Sequence, residues 1–141
     1  MIIRQLSVFL EDKSGRLTEL TKILAENDVN ISALSIADAA DYGIIRMVVG
    51  RPDLAVKVLK EHGFSVNTTE VACLIVPNKP GGLYKALQIL TDNKVDIDYM
   101  YAFDSGSRAT VVIRTANIPE VIKILQDHKL ELLKASQVYQ V

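Results

Sequence analysis

Displaced by 66 positions, this chain lands on itself without a gap. Glu11-Asp12-Lys13-Ser14-Gly15-Arg16-Leu17 meets Pro77-Asn78-Lys79-Pro80-Gly81-Gly82-Leu83, and Asn27-Asp28-Val29-Asn30-Ile31 meets Asn93-Lys94-Val95-Asp96-Ile97. Further on, Lys57-Val58-Leu59-Lys60-Glu61-His62 meets Lys123-Ile124-Leu125-Gln126-Asp127-His128. Two copies are too few for a solenoid, so each has to be a compact unit, and any site either exists twice or lies between copies. The reading divides the chain at 1-67 and 68-141.

Each half has about 70 residues, near the lower limit at which one apolar core suffices. With 49% hydrophobic and 23% charged residues, the chain is globular rather than disordered. A formal charge of -1 with both signs interspersed provides no long-range field for a nucleic acid or an anionic membrane. No apolar run approaches the roughly 20 residues of a membrane span, and the N-terminus lacks the pattern of a signal peptide. Cys73 is the single cysteine, which excludes an intrachain disulfide and makes the cytoplasm the expected compartment.

The first copy opens with a strand, Gln5 to Leu10, whose Leu6, Val8 and Leu10 share one face. After a polar turn, Leu17, Leu20, Ile23 and Leu24 recur at helical spacing until Glu26-Asn27-Asp28. Ile31 to Ile36 and Gly43 to Val49 read as strands, Pro52 starts a second helix that ends at Gly63, and Phe64 to Val66 begins a fourth strand. The second copy repeats the order: strand Val71 to Val76, helix Gly82 to Thr91, strands Ile97 to Phe103 and Ala109 to Thr115, helix Pro119 to His128, then Leu130 onward. The expected fold class is α+β: two ferredoxin-like βαββαβ sandwiches in tandem. In each, two helices cover one face of an antiparallel four-stranded sheet. Several strands are apolar on both faces, as in Ile44 to Val49 and Tyr99 to Phe103. The uncovered face is therefore expected to pack on another sheet or subunit, which predicts self-association.

The junction between first strand and first helix carries the chemical signal. Asp12-x-x-Gly15-x-Leu17 recurs as Asn78-x-x-Gly81-x-Leu83. A helix N-terminus offers unpaired N–H groups and partial positive charge to a carboxylate, while Asp12 or Asn78 could accept from an ammonium group. Ser14, Asp12 and Asn78 also suit helix capping, with the glycines serving the turn. Both readings stay open at this level. Glycine at position 82 is expected to leave backbone N–H groups open. Arg16, its counterpart, would either obstruct the helix end or clamp a carboxylate. Gly81→Val is expected to block a ligand while leaving the fold intact.

The βαββαβ order, this turn, and the Val29-Asn30-Ile31 and Val95-Asp96-Ile97 segments resemble the ACT domain family, over essentially the whole chain twice. The resemblance implies a free-standing pair of regulatory domains that bind a free amino acid at the interface between paired domains and act through a protein partner. It implies contacts from Asp12, Lys13, Ser14, Gly15, Arg16 and Leu17 with Asn30 in the first copy. In the second copy they come from Asn78, Lys79, Pro80, Gly81, Gly82 and Leu83 with Asp96. Ser14 replaces the family's proline, kept at Pro80, and Arg16 against Gly82 and Asn30 against Asp96 also differ, so the two sites are not equivalent. No cofactor or metal is implied, and a homodimer is expected.

Other residues read as structural. His62 and His128 end their helices, where an imidazole bonds terminal carbonyls, and neither has metal partners at ligand spacing. Cys73, among Ala72, Leu74 and Ile75, reads as a buried hydrophobe. Tyr99, Tyr101 and Phe103 alternate like base-stacking aromatics, yet the first copy has Ala33, Ser35 and Ala37 there, which argues against nucleic acid. No nucleophile-base pair, paired acid-base carboxylates or metal cluster suggests an enzyme. The alternative function is a protein association module without a small ligand.

Overall fold

The computed structural model describes residues 1–11, 15–38 and 41–140. Along the chain run β1 (Ile3–Glu11), α1 (Arg16–Glu26), β2 (Ile31–Asp38), β3 (Tyr42–Val49), α2 (Pro52–Glu61), β4 (Ser65–Pro77) and α3 (Gly82–Asp92). They are followed by β5 (Ile97–Asp104), β6 (Arg108–Thr115), α4 (Ile118–Asp127), β7 (Glu131–Leu132) and α5 (Ala135–Val138). The described residues form two compact units. An N-terminal unit comprises Arg4–Thr69 with residues 138–140, and a C-terminal unit comprises Glu70–Gln137 with Met1–Ile3.

Each unit is a ferredoxin-like α+β sandwich with the same strand order. It is β2-β3-β1-β4 in the N-terminal unit and β5-β6-β4-β7 in the C-terminal one. The β1–β3, β2–β3, β4–β6, β4–β7 and β5–β6 ladders are antiparallel, for example Leu6↔Met47 and Val8↔Ile45 between β1 and β3, and Leu74↔Val111 between β4 and β6. Opposed residues share a sheet face, so these pairs place Leu6, Val8, Ile45 and Met47 under α1 and α2, where Leu20, Leu24 and Leu59 complete the core. In the C-terminal unit, Leu74, Val111 and Ile113 meet Leu90, Ile118 and Leu125 of α3 and α4. Burial of each such side chain is worth about 1.5–3 kcal/mol.

The four long helices end alike. Val29, Phe64, Val95 and Leu130 each donate an N–H to the carbonyl five residues back, at 2.9–3.0 Å, closing a Schellman-type stop. The residue before each sits in the left-handed region: Asp28 (φ 57°), Gly63 (φ 83°), Lys94 (φ 58°) and Lys129 (φ 59°). His62 Nδ1 and His128 Nδ1 bond the carbonyls of Val58 and Ile124 at 2.7 and 2.8 Å, the terminal role read from sequence.

Two stretches differ from the sequence reading. Asn67-Thr68-Thr69, read as an interruption, lies inside the 13-residue β4, because exposed threonines suit a strand as well as a turn. Beyond Leu130 the expected strand is the two-residue β7, and the chain then forms the short α5.

Cys73 stands opposite Val112 on the sheet face away from the helices, and both are buried. Burial pushes the Cys73 thiol up to about 12 from 9.0. The folded state therefore keeps the proton longer than the unfolded chain, so this contribution to stability is intact below pH ~9 and is lost as pH rises towards ~12, by at most about 1.4 kcal/mol per pH unit. In a comparison of denaturant midpoints at pH 8 and pH 10, Cys73→Ala is expected to show a shallower alkaline loss than the parent chain. An equal loss in both would detach the effect from the thiol.

Candidate functional site

Both repeated turns enter their helices through a left-handed glycine. Gly15 has φ 90° and Gly81 φ 86°, and among the described residues no side chain caps either helix start. Asn78 therefore does not cap α3. Its Nδ2 donates to Asp104 Oδ1 and to the Gly106 carbonyl, each at 2.9 Å, and its backbone N–H donates to the Ser107 carbonyl. Both amide hydrogens are thereby committed, and the chemistry left to Asn78 is that of the acceptor Oδ1. Asp12, Lys13 and Ser14 lie outside the described residues.

Gly82 differs from its expected role. Its N–H donates to the Lys79 carbonyl at 3.0 Å, so this amide is not open. What the missing side chain provides is approach: a Cβ at Gly82 would fall 2.2 Å from the Pro77 carbonyl oxygen. Beside it lies a cavity of about 210 Å³ lined by Pro77, Lys79, Pro80, Gly81, Gly82 and Lys85, with Ile75, Val76, Ala86 and Leu130 as its apolar wall. Two lysines over a small apolar floor suit a compact molecule bearing a carboxylate.

The counterpart turn is built differently because of one residue. Arg16, which stands where the second copy has Gly82, lays its guanidinium 3.8 Å from the ring centroid of Phe64 and bonds Glu19 Oε2 at 3.0 Å. Phe64, Glu19 and Arg16 are the equivalents of Leu130, Lys85 and Gly82, so the Arg16 side chain occupies the position that is open beside Gly82. Arg16 is thus engaged within its own unit, by the Phe64 ring and the Glu19 carboxylate. Leu17 and Leu83 point inwards against their cores and anchor the first turns.

Asn30 and Asp96 are not beside these turns within their own units. Pro77 pairs with Arg108 at one end of β6, whereas Ile97 pairs with Thr115 at the other. Eight strand residues put Asp96 about 23 Å from the Gly81 end. The same holds for Asn30, since Glu11 pairs with Tyr42 and Ile31 with Val49 at opposite ends of β3. One unit by itself cannot close both elements around one small molecule.

The sequence reading missed Lys85, Ala86 and Leu130 in the cavity wall, although the repeat offered a signal: Leu130 is the equivalent of Phe64. It also missed the tail residues Tyr139 and Gln140, which have no counterpart in the first copy. Among the described residues, no group of three or more His, Cys, Asp or Glu is placed to hold a metal ion. No described helix is long and apolar enough to cross a membrane.

A family model described as an ACT domain pair matches residues 1–141. No curated protein matches the chain. Among solved structures, protein BT0572 from Bacteroides thetaiotaomicron is similar over 100% of this chain and 98% of its own, with 48% identity and a TM-score of 0.95. The ligand-free regulatory subunit of aspartate kinase from Thermus thermophilus shares 14% identity at a TM-score of 0.67, covering 88% of this chain and 91% of its own. Its Thermus flavus equivalent shares 14% at 0.63, over 90% and 94%. At such identity the kinase subunits speak to the fold alone. Because the family match runs from the first residue to the last, the chain belongs to the ACT domain pairs.

Proposed function

We propose that this protein is a non-catalytic regulator that binds a free amino acid between paired ACT domains. The observation that carries the reading is the cavity beside the Gly81 turn, which sets Lys79 and Lys85 over an apolar wall at a helix start. The α-carboxylate docks against those lysines. The 23 Å separation between this turn and Asp96 requires a second domain to supply the opposite wall. In this reading the working protein is a homodimer in the cytoplasm that acts through a protein partner. The two kinase subunits named above are regulatory subunits by name, which fits a control role. Ligand binding shifts the packing of paired domains only by the difference in its affinity for their alternative states.

A thermal-shift screen of the twenty amino acids tests the reading. Ligand at about 100 times its dissociation constant should add about 2.7 kcal/mol of stability. Lys79→Gln and Lys85→Gln should each weaken binding about fivefold with the unliganded melting temperature unchanged, because both side chains are at the surface. Gly81→Val is unsuitable here: at φ 86° a β-branched residue strains the turn itself, contrary to the expectation that this change spares the fold.

A flat screen would favour the other reading, a protein association module. One observation supports it: Phe9, Leu34, Ile36 and Tyr42 are exposed on the N-terminal unit, with Phe9 and Tyr42 rings 5.3 Å apart.

A further inference from the structure

The sheet end at which β2 or β5 begins forms a groove with the start of the next helix, and the two units use it differently. In the N-terminal unit the side chain of Gln140 lies across the groove, with openings of about 270 and 350 Å³ left on either side of it. Gln140 Oε1 accepts from the Asn30 N–H at 2.9 Å, its Nε2 donates to the Asp28 carbonyl at 3.0 Å, and its backbone N–H donates to the Gly50 carbonyl at 2.7 Å. The Arg4 N–H donates to the Tyr139 hydroxyl at 2.9 Å. Gly50 makes the room, since a Cβ there would lie 2.1 Å from Gln140 Oε1. The groove thus holds a nitrogen-bearing side chain.

In the C-terminal unit the equivalent positions are Lys94, Asp96 and Ala116, and the groove is a cavity of about 310 Å³. Its polar walls are Lys94, Asp96, Asp98, Thr115, Asn117 and Glu120. Asn117 Oδ1 is already engaged by the Glu120 N–H at 3.1 Å as the cap of α4. Thr115 is 2% exposed, and its Oγ1 has no hydrogen-bond partner. The corresponding residue of the other unit is Val49, a core residue, so a hydroxyl stands where a methyl would satisfy packing. A buried hydroxyl without a partner is unfavourable unless a ligand or water completes it. Three carboxylates face one ammonium around it, and they do not form a metal-holding cluster. The charge excess therefore fits an organic cation.

We propose that this groove receives the cationic side chain of an amino acid, which donates to Thr115 Oγ1 and to the carboxylates of Asp96, Asp98 and Glu120. The inference rests on the amino-acid-binding reading above and names the class of ligand. Calorimetry on the full chain with L-lysine, L-arginine and L-histidine, against L-leucine and L-glutamate, tests it. At least one cationic amino acid should bind about tenfold or more tighter than leucine, with glutamate weakest. Thr115→Val should weaken that binding roughly tenfold while leaving the unliganded melting temperature equal or higher, because valine already serves at the matching position of the other unit. Asp98→Asn with Glu120→Gln should erase the preference for cations. Leucine or glutamate binding as well as any cation, or Thr115→Val binding as the parent does, overturns this inference and leaves amino-acid binding standing. Failure of all twenty amino acids to bind overturns both.

Discussion

Alanine at position 82 is expected to destabilise the protein by about 2 kcal/mol or more, although alanine is the better helix former. The added Cβ would lie 2.2 Å from the Pro77 carbonyl oxygen and 3.2 Å from its carbon. That carbonyl cannot simply swing away. It accepts the Lys79 N–H at 3.0 Å, and Pro77 is the last residue of β4, paired with Arg108. Either the turn bond breaks or α3 shifts outward, and overpacking of this kind costs about 1–3 kcal/mol, with a further ~1 for a lost hydrogen bond. The intrinsic gain of alanine over glycine, about 1 kcal/mol in a helix interior and less at its first residue, offsets part of this. For a unit of this size the midpoint should fall by about 10 °C. Gly81→Ala is the comparison: no neighbour lies within 4 Å of its added Cβ, so only the left-handed backbone resists, at about 1–2 kcal/mol. Should Gly82→Ala melt within a degree of the parent chain, the close approach of strand and helix at the cavity is wrong.

Leu90→Ala is expected to cost more, about 2–5 kcal/mol, through lost apolar burial and the cavity left behind. The fully buried residues of α3 are Gly82, Ala86 and Leu90, and only the leucine is large. It is 1% exposed and packs in the C-terminal core with Leu74, Ile113 and Leu125. Its loss therefore loosens the helix whose first turn lines the cavity, and any ligand affinity measured there should fall with stability. Tyr84→Ala, on the same helix but 67% exposed, should change stability by less than about 0.5 kcal/mol. Urea midpoints for the two variants check the pair; similar losses for both would contradict the observed orientation of α3.

How far the site could be read from residues differs from one position to the next. The left-handed turns at Gly15 and Gly81 were visible as glycines in matching places, since only glycine adopts that backbone cheaply. Leu17 and Leu83 were visible through helical spacing. The role of Arg16 was not. Its long side chain had two plausible ends, and the choice depended on Phe64, 48 residues away, presenting its ring beneath the guanidinium. Gln140 was unreadable for a related reason. Nothing in the sequence around it signals that its amide meets Asp28 and Asn30 more than 100 residues earlier.

Spacing along the chain was enough to establish the duplicated βαββαβ order, the helix faces and the positions of the turns, because these follow from periodicities of a few residues and from the backbone freedom of glycine. Folding in space settled which openings exist. It put the Pro77 carbonyl against Gly82, laid Arg16 over Phe64, and set Gly81 and Asp96 at opposite ends of one sheet. Such arrangements depend on contacts between residues far apart in the chain, and the repeat, identical in outline, carries no record of them.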